Sequence, residues 1–489
     1  MTEVKGVTQP KHLINGEWVV GSGSERFDVF DPATGEKVSE LVSASLDEVD
    51  AAVAAAVAAF PAWSKLSLQR RVQFLYDMRQ NIFDNIDAIA ETLSLDHGKT
   101  LAEAKGEVGR AAVAIECAIA TPMIYHSNSG NIAEGIDAHH VREPIGACVA
   151  VTPSNFPTMN PAQFAGWALV TGNTLVIKPS EQDPMASTAM IQVLQASGLP
   201  AGVLNLVHGG VEVSRRVVGH PDVVAVSCIT STPTAKAIYE QATREGKRVQ
   251  ANGGAKNPIV VADDADLEQA ALGIIDSAFG MGGQRCLAGT RIIVLDSVYE
   301  ALVQRVAELS DEIVVGAGRD SGVTMGPVVT RESRDRLVSL IGEAIDGGAT
   351  AVRDGRTVDL KASPSATDRG YFVGPTILTG LSTSHPAEYQ ESFGPIIAIH
   401  RVKSLDEAIR VANDTQFGNA ATLYTKSGSN ALAFENGIRS GNIGINTFPA
   451  PPFNFTMGGL GTSFYGERHV CGDGPLDFYT EEKLVVARW

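Results

Sequence analysis

Apolar and polar positions change rhythm along this chain, and the changes mark its elements. Before residue 40 the apolar runs are short. The turn dipeptides Asn15-Gly16 and Thr34-Gly35 punctuate them, which predicts brief strands. Beyond that point the period lengthens. Ser45 and Glu48 have capping-box spacing, with Ser45 accepting from the first turn and Glu48 reaching back. Val49, Val53, Val57 and Phe60 then recur at the steps of one helical face. Val72, Leu75, Ile82, Ile86 and Ile89 predict the inner side of a second long helix.

From Cys148 short β-branched runs alternate with helix-length segments. Strands are expected at Cys148–Thr152, Thr174–Ile177, Leu204–Val207 and Val223–Ile229. Between and after them, helices are expected at Pro161–Val170, Pro184–Ala196, Val211–Val218 and Pro233–Thr243. Such alternation argues a parallel sheet with helices on both faces. Ligands bind these sheets beyond the carboxyl ends of their strands. A second set starts at Pro258, with Ile259–Ala262 and Arg291–Leu295 as its first strands, and runs to about residue 440. The fold class is therefore α/β, with two domains of similar size. Pro449, Pro451 and Pro452 read as a fixed turn.

Composition narrows the function. A chain of 489 residues suits two large domains or about three of ordinary size, and can bury a core without metals or disulfides. The 39 Lys and Arg against 56 Asp and Glu leave a net charge of −17, which disfavours nucleic acid as a partner. The five cysteines are odd in number, widely spaced and form no CxxC, as suits a reducing compartment. The first residues are polar with no apolar core of a signal peptide, and Ala51–Trp63 is too short to cross a bilayer. A cytoplasmic protein without a membrane partner is expected. The ten histidines show no zinc spacing, so no metal is expected. They read as surface or satisfied core residues.

Candidate chemistry sits at strand ends and in one small-residue loop. Cys286 lies in Gly282-Gly283-Gln284-Arg285-Cys286-Leu287-Ala288-Gly289, where small neighbours admit a ligand and Arg285 can favour a thiolate. It reads as a nucleophile or as a buried core thiol. Thr152-Pro153-Ser154-Asn155-Phe156-Pro157 follows a strand; Asn155 can aim an amide at an oxyanion, or the segment is a plain turn. Lys178 and Glu181 can hold ribose hydroxyls, with the carboxylate favouring NAD over NADP, or form a loop ion pair. Ser231, with Pro233 behind it, resembles a helix N-cap that leaves N–H groups for a pyrophosphate. The GxGxxG fingerprint is absent.

Together these segments resemble the aldehyde dehydrogenase superfamily across almost the whole chain. The residues that carry the resemblance are Arg142–Gly146, Thr152–Pro157, Gly172–Thr174, Lys178–Glu181, Gly282–Cys286, Glu391-Ser392-Phe393-Gly394-Pro395 and Phe478–Thr480. Within the superfamily the chain is most similar to the CoA-acylating methylmalonate/malonate semialdehyde dehydrogenases. The usual Glu-Leu-Gly-Gly-Lys is replaced by Ala251-Asn252-Gly253-Gly254-Ala255-Lys256, so Ala251 or Asn252 stands where a water-activating glutamate is found. Neither accepts a proton at neutral pH.

The resemblance implies a Rossmann-type NAD domain (1–125 and 147–255), an α/β catalytic domain (256–445), and a small β oligomerisation element with the C-terminal segment (126–146 and 446–489). It implies Cys286 and Asn155 as catalytic residues. It places Thr152, Pro153, Phe156, Lys178, Glu181, Ser231, Glu391 and Phe393 at the cofactor NAD, and Arg110 and Arg285 at a substrate carboxylate. For Arg110 a solvated helix face is the other reading. CoA is implied as co-substrate, a small aldehyde as substrate, and a homodimer or homotetramer as assembly. The alternative is a hydrolysing NAD-dependent aldehyde dehydrogenase that releases a free acid. Thr230 stands for a glycine near the pyrophosphate, and Pro258 for a histidine of the subgroup.

Overall fold

The computed structural model describes residues 7–382, 384–450 and 452–489. Residues 1–6 of the polar N-terminal stretch and Pro451 of the expected turn lie outside the described residues.

Two large sheets organise the chain. The first has eight strands, in the order Glu17–Val19, His12–Ile14, Leu204–Leu206, Thr174–Lys178, Ala147–Val151, Val223–Ile229, Arg248–Asn252 and Phe464–Gly466. Its middle five are parallel and lie third, second, first, fourth, fifth in sequence order. That is the Rossmann order, and it places a topological switch point between Ala147–Val151 and Val223–Ile229. The expected strands and helices of this half stand within one or two residues of their predicted ends. The second sheet has seven strands, parallel except where the edge strand Thr350–Arg353 joins. A third, antiparallel sheet pairs Thr480–Arg488 with Ile136–Pro144, and that strand with Ser129–Ala133.

The N-terminal helices follow the pattern with two corrections. Leu46–Trp63 begins at the Ser45–Glu48 capping box as expected. Its buried stripe is Val49, Ala52, Val53 and Ala56, whereas Val57 is exposed. The helix is tied to the first sheet there: Thr174 donates to the Ala56 carbonyl at 2.9 Å. The second long helix is two helices, Leu68–Asp84 and Ile86–His97. They break at Asn85, whose side chain donates back to the Asn81 carbonyl at 2.8 Å and offers the backbone an alternative to the helical ladder.

The helix Leu101–Ile119 has no counterpart in the predicted elements. Its buried face is mostly alanine, so its apolar contrast is faint. Its start was legible in Thr100 and Glu103, which form a second capping box. Among the described residues no helix is long and apolar enough to cross a membrane.

Candidate active site

The ends of the first sheet's strands and one loop of the second sheet enclose a cleft of about 1300 Å³. That exceeds the roughly 300–1,000 Å³ of a site for one drug-sized molecule. Every site residue named from the sequence lines it: Cys286, Asn155, Thr152, Pro153, Phe156 and Lys178, with Glu181, Ser231, Glu391, Phe393, Arg110 and Arg285.

The loop before Cys286 is strained in a way the sequence explains. Met281, Gly282 and Gly283 all have positive φ, at 55°, 59° and 71°. At Gly283 a Cβ would lie 2.3 Å from the Gly394 carbonyl, so only glycine fits. Met281 has a side chain in this region, at a cost of about 1–3 kcal/mol. Its N–H donates to Glu103 Oε1 at 2.7 Å, which helps hold the turn. Beyond the turn, the Cys286 carbonyl accepts from the side-chain amides of Asn257 and Asn419, both at 2.9 Å. Asn155 Nδ2 donates to the Gln284 carbonyl at 3.0 Å, so the loops bearing Asn155 and Cys286 are tied directly. An amide nitrogen carries two N–H groups, and this bond uses one.

The Cys286 thiol is pushed up to about 11, mainly by burial and then by the nearby Glu391 carboxylate. The N–H groups of Cys286 and Leu287 and the charge of Arg285 pull it down but are outweighed. Arg285 thus acts toward the thiolate as expected, but burial outweighs it. Its guanidinium donates to the Asp276 and Ser277 carbonyls and lies over the Phe448 ring at 5.1 Å. A raised thiol sets a pH dependence. Below about pH 11 the thiolate fraction grows tenfold per unit, so iodoacetamide labelling of Cys286 in the free enzyme is expected to accelerate about tenfold per unit between about pH 7 and 9. Mass spectrometry of the labelled peptide measures it; a plateau below about pH 8 contradicts the raised thiol.

One end of the cleft gathers hydrogen-bonding groups from several strand ends. Lys178 ends its strand, buried, with Nζ 2.9 Å from Glu181 Oε2. Ser231 occupies the N-cap of Thr232–Arg244, but its hydroxyl bonds Thr234 instead of capping the first turn. The first-turn N–H groups therefore stay available to an anion. Thr152 Oγ1 is buried without a protein partner. Glu391 accepts from the Ala255 N–H at 2.9 Å, and burial raises its carboxyl while Lys256 and Arg336 oppose the rise. A Cβ at Gly254 would lie 2.4 Å from Glu391 Oε2, so this glycine makes room for that carboxylate.

The strand Arg248–Asn252 separates Ala251 from Asn252 by exposure. Ala251 is fully buried in the sheet, and Asn252 lines the cleft with its amide on the Cys228 carbonyl at 3.2 Å. The strand end thus presents an amide to the cleft. The other end of the cleft holds Arg110, which lies over the Phe453 ring at 4.6 Å, and Arg285 over Phe448. Both rings come from one loop. Gln163, donating to the Val470 carbonyl at 2.9 Å, fixes the wall beside Cys471.

Several contributors were missed by sequence reasoning: Lys99, Glu107, Asn257, Asn419, Phe448 and Phe453. Glu107 left one usable signal, an acidic residue in phase with the buried alanines of its helix. His97 also departs from expectation. It is buried, neither ring nitrogen has a hydrogen-bond partner among the described residues, and desolvation, with the Lys99 charge, lowers its basicity. Among the described residues no group of three or more His, Cys, Asp or Glu could hold a metal ion.

A glycine-rich cysteine loop sharing one cleft with the strand ends of a Rossmann sheet defines a class, and comparison with known proteins agrees. The model of the aldehyde dehydrogenase family matches residues 18–485. The malonate-semialdehyde dehydrogenase 1 of Oceanobacillus iheyensis is 38% identical over 487 residues, covering 99% of both chains. The crystal structure of methylmalonate-semialdehyde dehydrogenase from Oceanimonas doudoroffii superposes with a TM-score of 0.95 at 34% identity, covering 99% of both chains. A Sinorhizobium meliloti 1021 protein assigned to the same activity and solved with NAD gives 0.95 at 34% identity, covering 98% of both. The chain belongs to the aldehyde dehydrogenase family and is an enzyme of that family.

Proposed function

We propose that the protein oxidises malonate or methylmalonate semialdehyde with NAD through a Cys286 thioester, loses CO2, and transfers the acyl group to CoA. One observation carries the reading: at its strand end Asn252 lines the same cleft as Cys286, and an amide cannot do there what hydrolysis asks of a carboxylate.

The donor set fits NAD. Lys178 and Glu181 suit ribose hydroxyls, and the first turn behind Ser231 suits the pyrophosphate. The unpartnered Thr152 hydroxyl and the Glu391 carboxylate suit further polar groups of the cofactor. Thr152, Pro153, Phe156 and Phe393 complete the walls on this side. Bound NAD supplies a two-electron acceptor for the hydride lost as a thiohemiacetal becomes a thioester.

The residues of the chain do the rest. Cys286 Sγ, once deprotonated, forms the C–S bond to the aldehyde carbon. The carbonyl electron pair moves onto oxygen, and the second Asn155 N–H with the Cys286 N–H stabilises it. Arg110 and Arg285 hold the substrate carboxylate through charge-assisted hydrogen bonds. Cleavage of the carboxylate bond leaves its electron pair on the α-carbon of the thioester, which takes up a proton. The CoA thiolate then displaces Cys286 and gives acetyl-CoA or propionyl-CoA. Asn252 cannot take a proton from water, so hydrolysis stays slow.

The same reading extends to organisation. Residues 1–125 with 147–255 form the NAD domain, 256–445 the catalytic domain, and 126–146 with 446–489 the oligomerisation element and C-terminal segment. Ile132, Leu484 and Val486 are exposed on the third sheet, as a dimer or tetramer contact would need. The reducing-compartment cysteine pattern supports a cytoplasmic setting.

The test is NADH formation from malonate semialdehyde with and without CoA. Multiple turnovers are expected only with CoA, at least about 100-fold faster than without it, yielding acetyl-CoA. Full turnover without CoA, releasing a free acid, would move the enzyme to the hydrolytic class.

A further inference from the structure

Lys99 and Glu107 are a buried ion pair, both side chains sealed from solvent. A buried pair contributes little net stability, because desolvation offsets the attraction. Its value lies in direction, and here every bond runs the same way. Lys99 Nζ donates to Glu107 and to the Asn155 carbonyl at 2.5 Å, and lies over the Phe156 ring at 4.8 Å. Glu107 Oε1 accepts from the Thr158 N–H at 2.9 Å, the Thr158 hydroxyl at 2.6 Å and the Met159 N–H at 3.2 Å. The pair therefore grips the segment 155–159 at both ends of the turn that bears Asn155.

The helix Leu101–Ile119 supplies the frame. Glu103, Glu107 and Arg110 are spaced four and three apart, one stripe of a helix. Glu103 holds the Met281 N–H of the nucleophile loop, Glu107 holds the Asn155 segment, and Arg110 lines the cleft. One helix thus contacts both loops, in addition to the direct bond from Asn155 to the Gln284 carbonyl.

We propose that Glu107 and Lys99 are positioning residues for the oxyanion donor: they fix the Asn155 backbone so that its amide meets the oxygen developing beside Cys286. The proposal rests on the Asn155 role given above, and its test separates the two.

The experiment reads the pre-steady-state NADH burst with propanal and NAD, without CoA, beside iodoacetamide labelling of Cys286. Glu107→Gln keeps the shape and removes the charge. It is expected to slow the burst about tenfold while labelling changes less than about twofold, because a misplaced oxyanion donor affects only the transition state. Thr158→Val removes one Glu107 contact and is expected to slow the burst about threefold, whereas Thr158→Ser restores it. This pair decides the matter should Glu107→Gln fail to fold. A burst unchanged in both Glu107→Gln and Thr158→Val overturns the proposal. So does labelling that falls in parallel with the burst, which is the mark of a general structural role. Asn155→Ala is run alongside. If it slows the burst and the Glu107 and Thr158 variants do not, positioning alone is wrong. If Asn155→Ala leaves the burst intact, the oxyanion role falls and the proposal with it.

Discussion

Cys286→Ala is expected to abolish aldehyde-dependent NADH formation, lowering turnover by about 10⁴-fold or more, since removal of a covalent nucleophile has effects on that order. The reason is geometric. Cys286 is the cysteine brought to the cleft on a loop of left-handed residues that Gly283 alone can complete. Cys471 also lines the cleft, but it is buried against Gln163, and burial pushes its thiol up to about 12. The Cys286 and Leu287 N–H groups, by contrast, pull the Cys286 thiol down. The substitution removes one sulfur and leaves the loop bonds to Asn257, Asn419 and Asn155 in place. The thermal midpoint is therefore expected to stay within about 3 °C of the parent, because so small a change outside a packed core costs well under about 1 kcal/mol. NADH absorbance and scanning calorimetry measure the two arms, and calorimetric NAD binding is expected to stay unchanged. Retained turnover would remove the nucleophile assignment. Lost NAD binding together with lost turnover would show a collapsed cleft.

The second large effect is on substrate charge. Arg285→Ala is expected to lower kcat/KM for malonate semialdehyde about 100-fold while propanal changes less than about threefold, because a hydrogen bond to a charged group is worth about 1.5–3 kcal/mol. Arg110→Ala is expected to act in the same direction. Both guanidiniums sit over aromatic rings of one loop, Phe448 and Phe453, which orients their planes before substrate arrives. Lysine lacks the planar fork, so Arg285→Lys should recover only a small part of the loss. Arg285 also braces the helix end through the Asp276 carbonyl. Propanal therefore serves as the control for general damage. Equal losses for the two aldehydes would mean that Arg285 is a brace and no clamp.

Much of this site was legible before the fold. The strand–helix alternation from Cys148 to Thr243 is a matter of local period, and it placed the loops of Asn155, Lys178 and Ser231 at strand ends. The capping box at Ser45 is equally local. Where local contrast was weak, the reading failed. The alanine-lined helix Leu101–Ile119 did not stand out, Asn85 split what looked like one helix, and Val57 fell off the buried stripe.

The choice between Ala251 and Asn252 shows the boundary well. The resemblance put Ala251 or Asn252 where a glutamate is usual, and neither is a base. Only the strand's alternation in the sheet turned Ala251 inward and Asn252 to the cleft. The same holds for Cys286: its place in a small-residue loop was visible, but burial outweighs its arginine neighbour and raises the thiol, and burial is a property of the packed chain. The sequence by itself determined the fold class, the strand ends and the residue types available for chemistry, since these depend on neighbours within a few positions. Tertiary structure decided the tie of Asn155 to the nucleophile loop, the grip of Lys99 and Glu107, and the rings beneath both arginines, because those contacts join segments that no local spacing relates.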